Sequence, residues 1–471
     1  FTIYIFTFHM TLIKNISGFR GTIGGQKNDN LTPIDIVSSI AAFSRLIKEN
    51  NPNSSNLTVM TGRDGRKSGE LIQTLVNSVF ASMGINVIDT GLSTTPTLCW
   101  GVLNNESVAG LMITASHNPK EYNGLKFFNS DGEFLSKEDV EKLIEYSESK
   151  DHNFIANESL GEVTKYTNLI DDHIEGIINL DILPLKKIKE LNLFVVADAI
   201  NSTGSIALPI LFKKLNIRYK IINAEIEGVF NHTPEPLSEN LRGLSEEITM
   251  TNADFGVAVD PDVDRLVFFD ENGKILGEEY TQVFCSDFVL SVNNGDTVST
   301  LSSSNALKDL TKSYNSDYHV TPVGEMNVVK KMKEINSVVG GEGGGGIIYP
   351  ELHYGRDALV GIALFLGLLV NKKCKVSALK NDYPEYFMKK LKVSLKDNNV
   401  IDNIFKEIVN RYSDLNPNTD DGVRIDFPNG WVHMRKSNTE PIVRIFSESN
   451  DQKQADSLAL KIEKEIKSLS N

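Results

Sequence analysis

Short β-rich runs alternate with helical ones through most of the chain, and this alternation constrains the fold more than any other feature. LTVM (57–60) is followed by the helical stretch SGELIQTLVNSVFASMG (68–84), then by INVID (85–89), a further helix, and VAGLMIT (108–114). The rhythm returns with LFVVAD (193–198) ahead of a helical SIALPILFKKL, with FGVAVD (255–260), and from DTVSTL (296–301) to a helix near Glu325–Lys333. Parallel strands need crossover connections, which helices supply, so the pattern predicts repeated α/β units with largely parallel sheets. After about Asn381 it changes to a helix around Ile401–Arg411, strands at VRIDF, WVHMR and IVRIFSE, and a last helix from Gln452 to Ser468. That final unit reads as a smaller α+β domain. The charged stretch 136–150, with Ser136 and Asp139 at capping-box spacing, predicts a solvated helix face.

With 471 residues, of which 40% are hydrophobic, the chain has length for about three domains and apolar content for several cores, which excludes a disordered polymer. The formal charge is −14. A phosphate polymer or an anionic membrane would be repelled by such a protein, so neither nucleic acid nor a membrane is an expected partner; a bound phosphate should be small. Cys99, Cys285 and Cys374 form no CxxC pair, which argues against a zinc ribbon or a disulfide framework and fits a reducing cytoplasm. The apolar start, Phe1 to Phe8, has no basic n-region, no small-residue cleavage site and not the ~20 residues a bilayer span needs. Residues 1–9 read as translated upstream sequence ahead of Met10. The apolar run Leu359 to Val370 is also too short to span and reads as a buried helix.

Four loops could carry chemistry. The first, TASHNPKEYNGLKF (114–127), follows a buried-looking strand, the end at which open α/β sheets place ligands. On the fragment alone, a plain turn with Ser116 as a local cap explains it as well. A Ser–His hydrolase is disfavoured, because adjacent residues point in different directions and no GxSxG elbow is present. The second, VAVDPDVDRLVFFD (257–270), sets Asp260, Asp262 and Asp264 at alternate positions, where three carboxylates can converge on a hard cation such as Mg²⁺ or Ca²⁺. An EF-hand fails at loop position 6, which is Arg265 instead of Gly, and LVFF reads as a strand. An apolar strand followed by DxD is also the pattern of aspartyl-phosphate phosphotransferases with Asp260 as nucleophile; these residues leave both readings open.

The third loop, GGEGGGGIIYPELHYGRDAL (340–359), satisfies GxGxxG formally, but Ile-Ile-Tyr-Pro cannot open the helix that a dinucleotide site requires. It is either a flexible linker or a means of presenting Glu342 to a ligand from unobstructed backbone. The fourth, RKSNTEPIVRIF (435–446), groups Arg435, Ser437, Asn438, Thr439 and Arg444 around one turn, a composition suited to a phosphate monoester as well as to a hairpin. No GxxxxGK[ST] occurs, so nucleotide hydrolysis has little support.

Taken together, in this order and spacing, TASHNP, DPDxDR, the Glu342 loop and RxSNTEP resemble the α-D-phosphohexomutase family over essentially Ile13 to Leu469. The resemblance implies three similar α/β domains with mixed, largely parallel sheets and a smaller C-terminal α+β domain, with an active site where all four meet. The corresponding boundaries are 10–160, 161–272, 273–380 and 381–471. It further implies that Ser116 is phosphorylated and, with Asp260, Asp262 and Asp264, holds Mg²⁺. Glu342 and Gly343 would lie on the sugar loop, and Arg435, Ser437, Asn438, Thr439 and Arg444 on the phosphate loop. Arg20 and Arg265 would add charge, and Lys126, helped by His117, would move protons. A cytoplasmic monomer or homodimer acting on a small phosphosugar, with a sugar 1,6-bisphosphate as activator, is expected.

SGFRGTIGG (17–25), GLSTTPT (91–97), GEGGGGIIYP and HYGRDALVG look most like the branch of bacterial phosphoglucosamine mutases, which implies an isomerase converting glucosamine-6-phosphate to glucosamine-1-phosphate. The alternative is a phosphomannomutase or phosphoglucomutase acting on a neutral hexose. An aspartyl-phosphate phosphatase and a non-catalytic phosphosugar sensor are the more distant readings. Three departures stand out: Gly344 and Gly346 replace the Ser and His of the usual GExSGH, Glu325 stands where some mutases have His, and YGRDAL replaces a more usual GDG, with Asp357 keeping the acid.

Overall fold

The strand Ala109–Ile113 is buried along its whole length, as an apolar AGLMI run between helices requires. It lies near the middle of a seven-stranded sheet, in the computed structural model, whose order is Ile13–Asn15, Gly18–Thr22, Tyr122–Phe128, Ala109–Ile113, Thr58–Arg63, Asn86–Leu92, Val163–Lys165. The last four run parallel, joined by helical crossovers, while Tyr122–Phe128 returns antiparallel after the Ser116 loop. The residues described are 10–149, 152–395, 399–436 and 442–470. The expected upstream segment 1–9 lies outside them, as do Ser437, Asn438 and Thr439.

The chain forms two compact units, residues 1–278 with 346–376 and residues 279–345 with 377–471. In the first unit a second sheet has the order Leu266–Phe269, Phe255–Val259, Phe194–Asp198, Arg218–Ile222, parallel except for the Leu266–Phe269 edge. The apolar run read as a buried helix is Ala358–Lys372, buried from Ala358 to Val370. Its Phe365 stacks on Phe268 with ring centroids 3.9 Å apart, so the helix joins the core of the second sheet. No helix among the described residues is long and apolar enough to cross a membrane.

In the second unit, Tyr318–Thr321, Thr297–Thr300 and Val339–Glu342 run parallel, with helices Asn305–Ser313 and Glu325–Ile335 as crossovers. The chain then builds an antiparallel sheet in the order Phe387–Ser394, Ile442–Ser449, Gly430–Lys436, Val423–Phe427. Helices Asn399–Arg411 and Gln452–Leu469 accompany it, and Ile401, Ile404, Ile408, Ile462 and Ile466 bury against Val432, Ile425 and Ile445. The expected fold class, mixed α/β followed by a C-terminal α+β domain, is the one observed. Ser136 caps helix Lys137–Glu148 by accepting from the Asp139 amide, as its spacing predicted.

Candidate functional site

Ser116 leaves the carboxyl end of Ala109–Ile113 in the left-handed region, φ +47°, a conformation a non-glycine residue keeps only where its surroundings enforce it. Its amide donates to Thr114 Oγ1 at 2.9 Å, and that hydroxyl donates to Asp64 Oδ2 at 2.7 Å. The buried Arg66 completes the frame. Nη2 donates to the carbonyls of Ser116 (2.6 Å) and Asn118 (2.7 Å), Nη1 to those of Pro119 (2.7 Å) and Tyr122 (2.8 Å), and Nε to Asp64 (3.0 Å). A planar guanidinium can hold several loop carbonyls at once because its donors are fixed in one fork. The sequence reading missed Asp64 and Arg66; the available signal was RDGR at the end of the neighbouring strand Thr58–Arg63.

The aspartate loop also leaves the carboxyl end of a buried strand, Phe255–Val259, and the fold brings it against the Ser116 loop. Ser116 Oγ donates to Asp260 Oδ2 at 2.8 Å, and His117 Nδ1 is 3.3 Å from the same hydroxyl. Asp260 Oδ1 accepts from the amides of Asp264 and Arg265. This tight turn places the β-branched Val263 at φ +62°. Lys126 Nζ donates to Asp262 Oδ2 (2.6 Å) and Asp264 Oδ2 (3.0 Å), and Thr95 Oγ1 to Asp262 Oδ2 (2.5 Å). Arg356 Nη2, from the YGRDAL segment, reaches Asp264 Oδ2 at 2.8 Å. Arg20, on strand Gly18–Thr22, reaches Asn118 Oδ1 at 3.4 Å.

Charge in this cluster is tightly balanced. Burial, reinforced by the charges of Asp264 and Asp262, pushes the Asp260 carboxyl well above the ordinary range. Burial pushes Asp264 the same way, but Arg356, Lys126 and Arg265 outweigh it and hold that carboxyl below the usual range. Burial opposes the charge on Lys126, yet Asp262 and Asp264 prevail and keep it an ammonium ion. His117 is pushed well below its usual value by the Arg265 charge and by burial, and so is a neutral imidazole. A divalent cation fits these residues: the ligand oxygens of Asp260, Asp262 and Asp264 lie within 4.8 Å of one another, and Oδ1 of both Asp262 and Asp264 is buried with no hydrogen-bond partner.

In the second unit, Glu342 ends strand Val339–Glu342 and its Oε1 accepts from the Gly324 amide at 3.0 Å. A Cβ on Gly343 would fall 2.1 Å from Glu279 Oε2, so glycine there makes room for that carboxylate, which in turn accepts from the Ser304 amide. Arg435 lies directly opposite Arg444 on adjacent antiparallel strands, and Lys392 is opposite Arg444 on the other side. Residues directly opposite share a face, so three cations form a row that an anion would relieve. Asp421 Oδ2 lies 2.7 Å from Arg435 Nε. Sequence reasoning missed Lys392, which becomes a neighbour only through strand register.

The four family models for phosphoglucomutase/phosphomannomutase, α/β/α domains I, II and III and the C-terminal domain, match residues 12–154, 171–273, 277–387 and 375–465. The chain belongs to the phosphoglucomutase/phosphomannomutase family. This is the α-D-phosphohexomutase family expected from the four loops, and the enzyme class of its mutases is isomerase. Among its relatives, a phosphoglucomutase/phosphomannomutase of Thermococcus kodakarensis is 36% identical, over 92% of this chain and 95% of that protein. A phosphoglucosamine/phosphogalactosamine mutase of Sulfurisphaera tokodaii is 31% identical, over 95% of this chain and 97% of that protein. In fold, a crystal structure of a phosphoglucomutase/phosphomannomutase family protein from Burkholderia thailandensis is similar at TM-score 0.82 and 24% identity, covering 97% of this chain and 96% of that one.

Proposed function

We propose that the chain interconverts a hexosamine 6-phosphate and its 1-phosphate, with glucosamine as the sugar, through phosphorylated Ser116 and a 1,6-bisphosphate intermediate. The observation that carries this reading is the Ser116 hydroxyl, held in a rigid loop and bonded to the first of three clustered aspartates. A phosphoryl group moving between oxygens asks the protein mainly for positioning and charge neutralisation. Mg²⁺ held by Asp260, Asp262 and Asp264 would neutralise the oxygens of the phosphoryl group on Ser116. The phosphorus–Oγ bond breaks as a bond to the sugar O1 forms, and the proton leaving O1 returns to Ser116. In the second half-reaction the phosphorus–O6 bond breaks as a phosphorus–Oγ bond forms, and the proton leaving Ser116 is passed on to O6. His117, neutral and 3.3 Å from Oγ, suits accepting the serine proton at that point. Lys126, an ammonium ion beside Asp262 and Asp264, moves protons together with His117, and Arg20 and Arg265 add positive charge, while Arg435, Ser437, Asn438, Thr439 and Arg444 hold the phosphate that is not reacting. Glu342 and Gly343 contact the sugar.

The amino sugar is supported by the relative named phosphoglucosamine/phosphogalactosamine mutase. The higher identity to the relative named phosphoglucomutase/phosphomannomutase favours the second reading, a neutral hexose handled by the same residues. We place the enzyme in the cytoplasm, as a monomer or homodimer activated by a sugar 1,6-bisphosphate. The test is peptide mass spectrometry before and after incubation with glucosamine-1,6-bisphosphate, together with coupled assays on glucosamine-6-phosphate, mannose-1-phosphate and glucose-1-phosphate. Phosphate on the Ser116 peptide with fastest turnover of the amino sugar supports the first reading, and faster turnover of a neutral sugar transfers the protein to the second. Free phosphate release with an unmodified Ser116 would point instead to a phosphatase using Asp260.

A further inference from the structure

Two departures from the usual family pattern, glycine at 346 and the YGRDAL segment, meet in space. A Cβ on Gly346 would fall 2.3 Å from Arg356 Cδ and 3.1 Å from its Cγ, so the absence of a side chain at 346 is what admits the Arg356 side chain. From there Arg356 Nη2 reaches Asp264 Oδ2 at 2.8 Å, the same oxygen that Lys126 contacts at 3.0 Å.

The next residue explains why Arg356 stays in place. Asp357 caps helix Ala358–Lys372, its Oδ1 accepting from the Leu359 and Val360 amides. Its Oδ2 lies 3.1 Å from His173 Nε2 and 3.4 Å from His353 Nε2, and all three side chains are buried. His173 is in turn tied to Thr97 through Nδ1 at 3.0 Å. Burial disfavours the Asp357 charge, but the two imidazoles outweigh it and hold the carboxyl below its ordinary range. The backbone fixes the segment a second time: the Asp357 amide donates to the Ile347 carbonyl and the Ala358 amide to the Val263 carbonyl, inside the aspartate loop itself. The segment is therefore pinned immediately after Arg356, by the backbone of Asp357 and Ala358 and by the Asp357 side chain.

We propose that Arg356 is a positioning residue for the acidic cluster: admitted by Gly346 and held by the His173–Asp357–His353 contacts, it orients Asp264 and sets how tightly Asp260, Asp262 and Asp264 hold a divalent cation. The proposal rests on reading those aspartates as a cation site. A guanidinium in contact with one ligand carboxylate repels an ion seated on that carboxylate, and at such separations the repulsion is worth at least one order of magnitude in affinity. Arg356 thus keeps the ion weakly held and exchangeable.

The experiment measures Mn²⁺ binding to the full chain, without sugar phosphate, by calorimetry and by electron paramagnetic resonance. It compares the wild-type protein with Arg356→Met, Arg356→Lys and Gly346→Ala, each checked for its fold by circular dichroism and melting temperature. Arg356→Met should bind Mn²⁺ about tenfold more tightly, Arg356→Lys close to wild type, and Gly346→Ala should shift in the tighter direction by displacing the guanidinium without removing it. A merely structural residue would weaken binding and lower melting together. Unchanged or weaker binding in Arg356→Met, with wild-type binding intact, overturns the role of Arg356 alone. If Arg356→Met does not fold, Gly346→Ala decides by the same criterion. Absence of Mn²⁺ binding in the wild-type chain overturns the role together with the cation site beneath it.

Discussion

Ser116 Oγ and Asp260 Oδ2 are separated by 144 residues of chain and by 2.8 Å in space, which couples a hydroxyl on one α/β sheet to a carboxylate on another. Each side of the contact is built independently: Arg66 and Asp64 frame the serine loop, and the Asp264 and Arg265 amides orient Asp260. Ser116→Ala removes the proposed phosphoryl carrier while leaving both frames intact. Turnover should fall to trace levels with melting temperature little changed, and the peptide containing position 116 should carry no phosphate after exposure to the bisphosphate. Activity above trace would remove Ser116 from the chemistry.

Asp262 receives Lys126 and Thr95 on one oxygen and leaves the other without a partner. Asp262→Asn keeps the shape but removes a charge from the cluster. We expect kcat at saturating Mg²⁺ to fall by about a hundredfold or more, with a much smaller effect on melting temperature. An unchanged rate at saturating Mg²⁺ would count against the metal reading.

The framework of the site was legible because its chemistry begins where apolar strands end. Ala109–Ile113 and Phe255–Val259 stop abruptly at TASHNP and DPDVDR, and the carboxyl ends of parallel strands are where open sheets present loops. What stayed hidden depends on distance in sequence. Arg66 bonds a carbonyl 50 residues away, and nothing in RDGR says which loop it will clamp. Lys392 joins Arg444 and Arg435 only once register is fixed, since a one-residue slip would turn it to the other face. Asp357 was legible as an acid that the chain keeps, but its dual use as helix cap and partner of two buried histidines was not, because His173 comes from a distant helix. The glycines at 343 and 346 stood in a loop open to two readings, a linker or unobstructed backbone beside Glu342, and neither reading shows that each makes room for one particular side chain, Glu279 or Arg356.

Arg435 and Arg444 face one another across a strand pair, a like-charge arrangement that the Arg435–Asp421 ion pair offsets in part and that a bound anion would relieve further. Arg435→Ala should therefore raise KM for the sugar phosphate by about tenfold while lowering kcat much less. Inorganic phosphate should raise the melting temperature of the wild-type protein more than that of the variant. A large loss of kcat at unchanged KM would place Arg435 in the transfer step instead.

His433 supplies a pH dependence that does not involve catalysis. It is fully buried, its Nε2 donates to the Asp421 carbonyl at 2.6 Å, and its Nδ1 lies 2.8 Å from Ser302 Oγ, an arrangement that a neutral ring satisfies by accepting at Nδ1. Burial pushes its pKa down from 6.5 to about 4, the Asp421 bond opposing only in part. In the unfolded chain the imidazole titrates near its ordinary value, so between these limits the unfolded state binds a proton that the native state does not. The stabilisation is complete above about pH 6.5 and is lost as pH falls toward 4, to the extent of roughly 3 kcal/mol at most. His433→Gln keeps a donor and an acceptor without a titrating group. Urea unfolding at a series of pH values from 7 to 4 should show the wild-type midpoint falling more steeply than that of the variant. Parallel curves would mean that His433 is protonated in the native state, and that Ser302 serves as its acceptor.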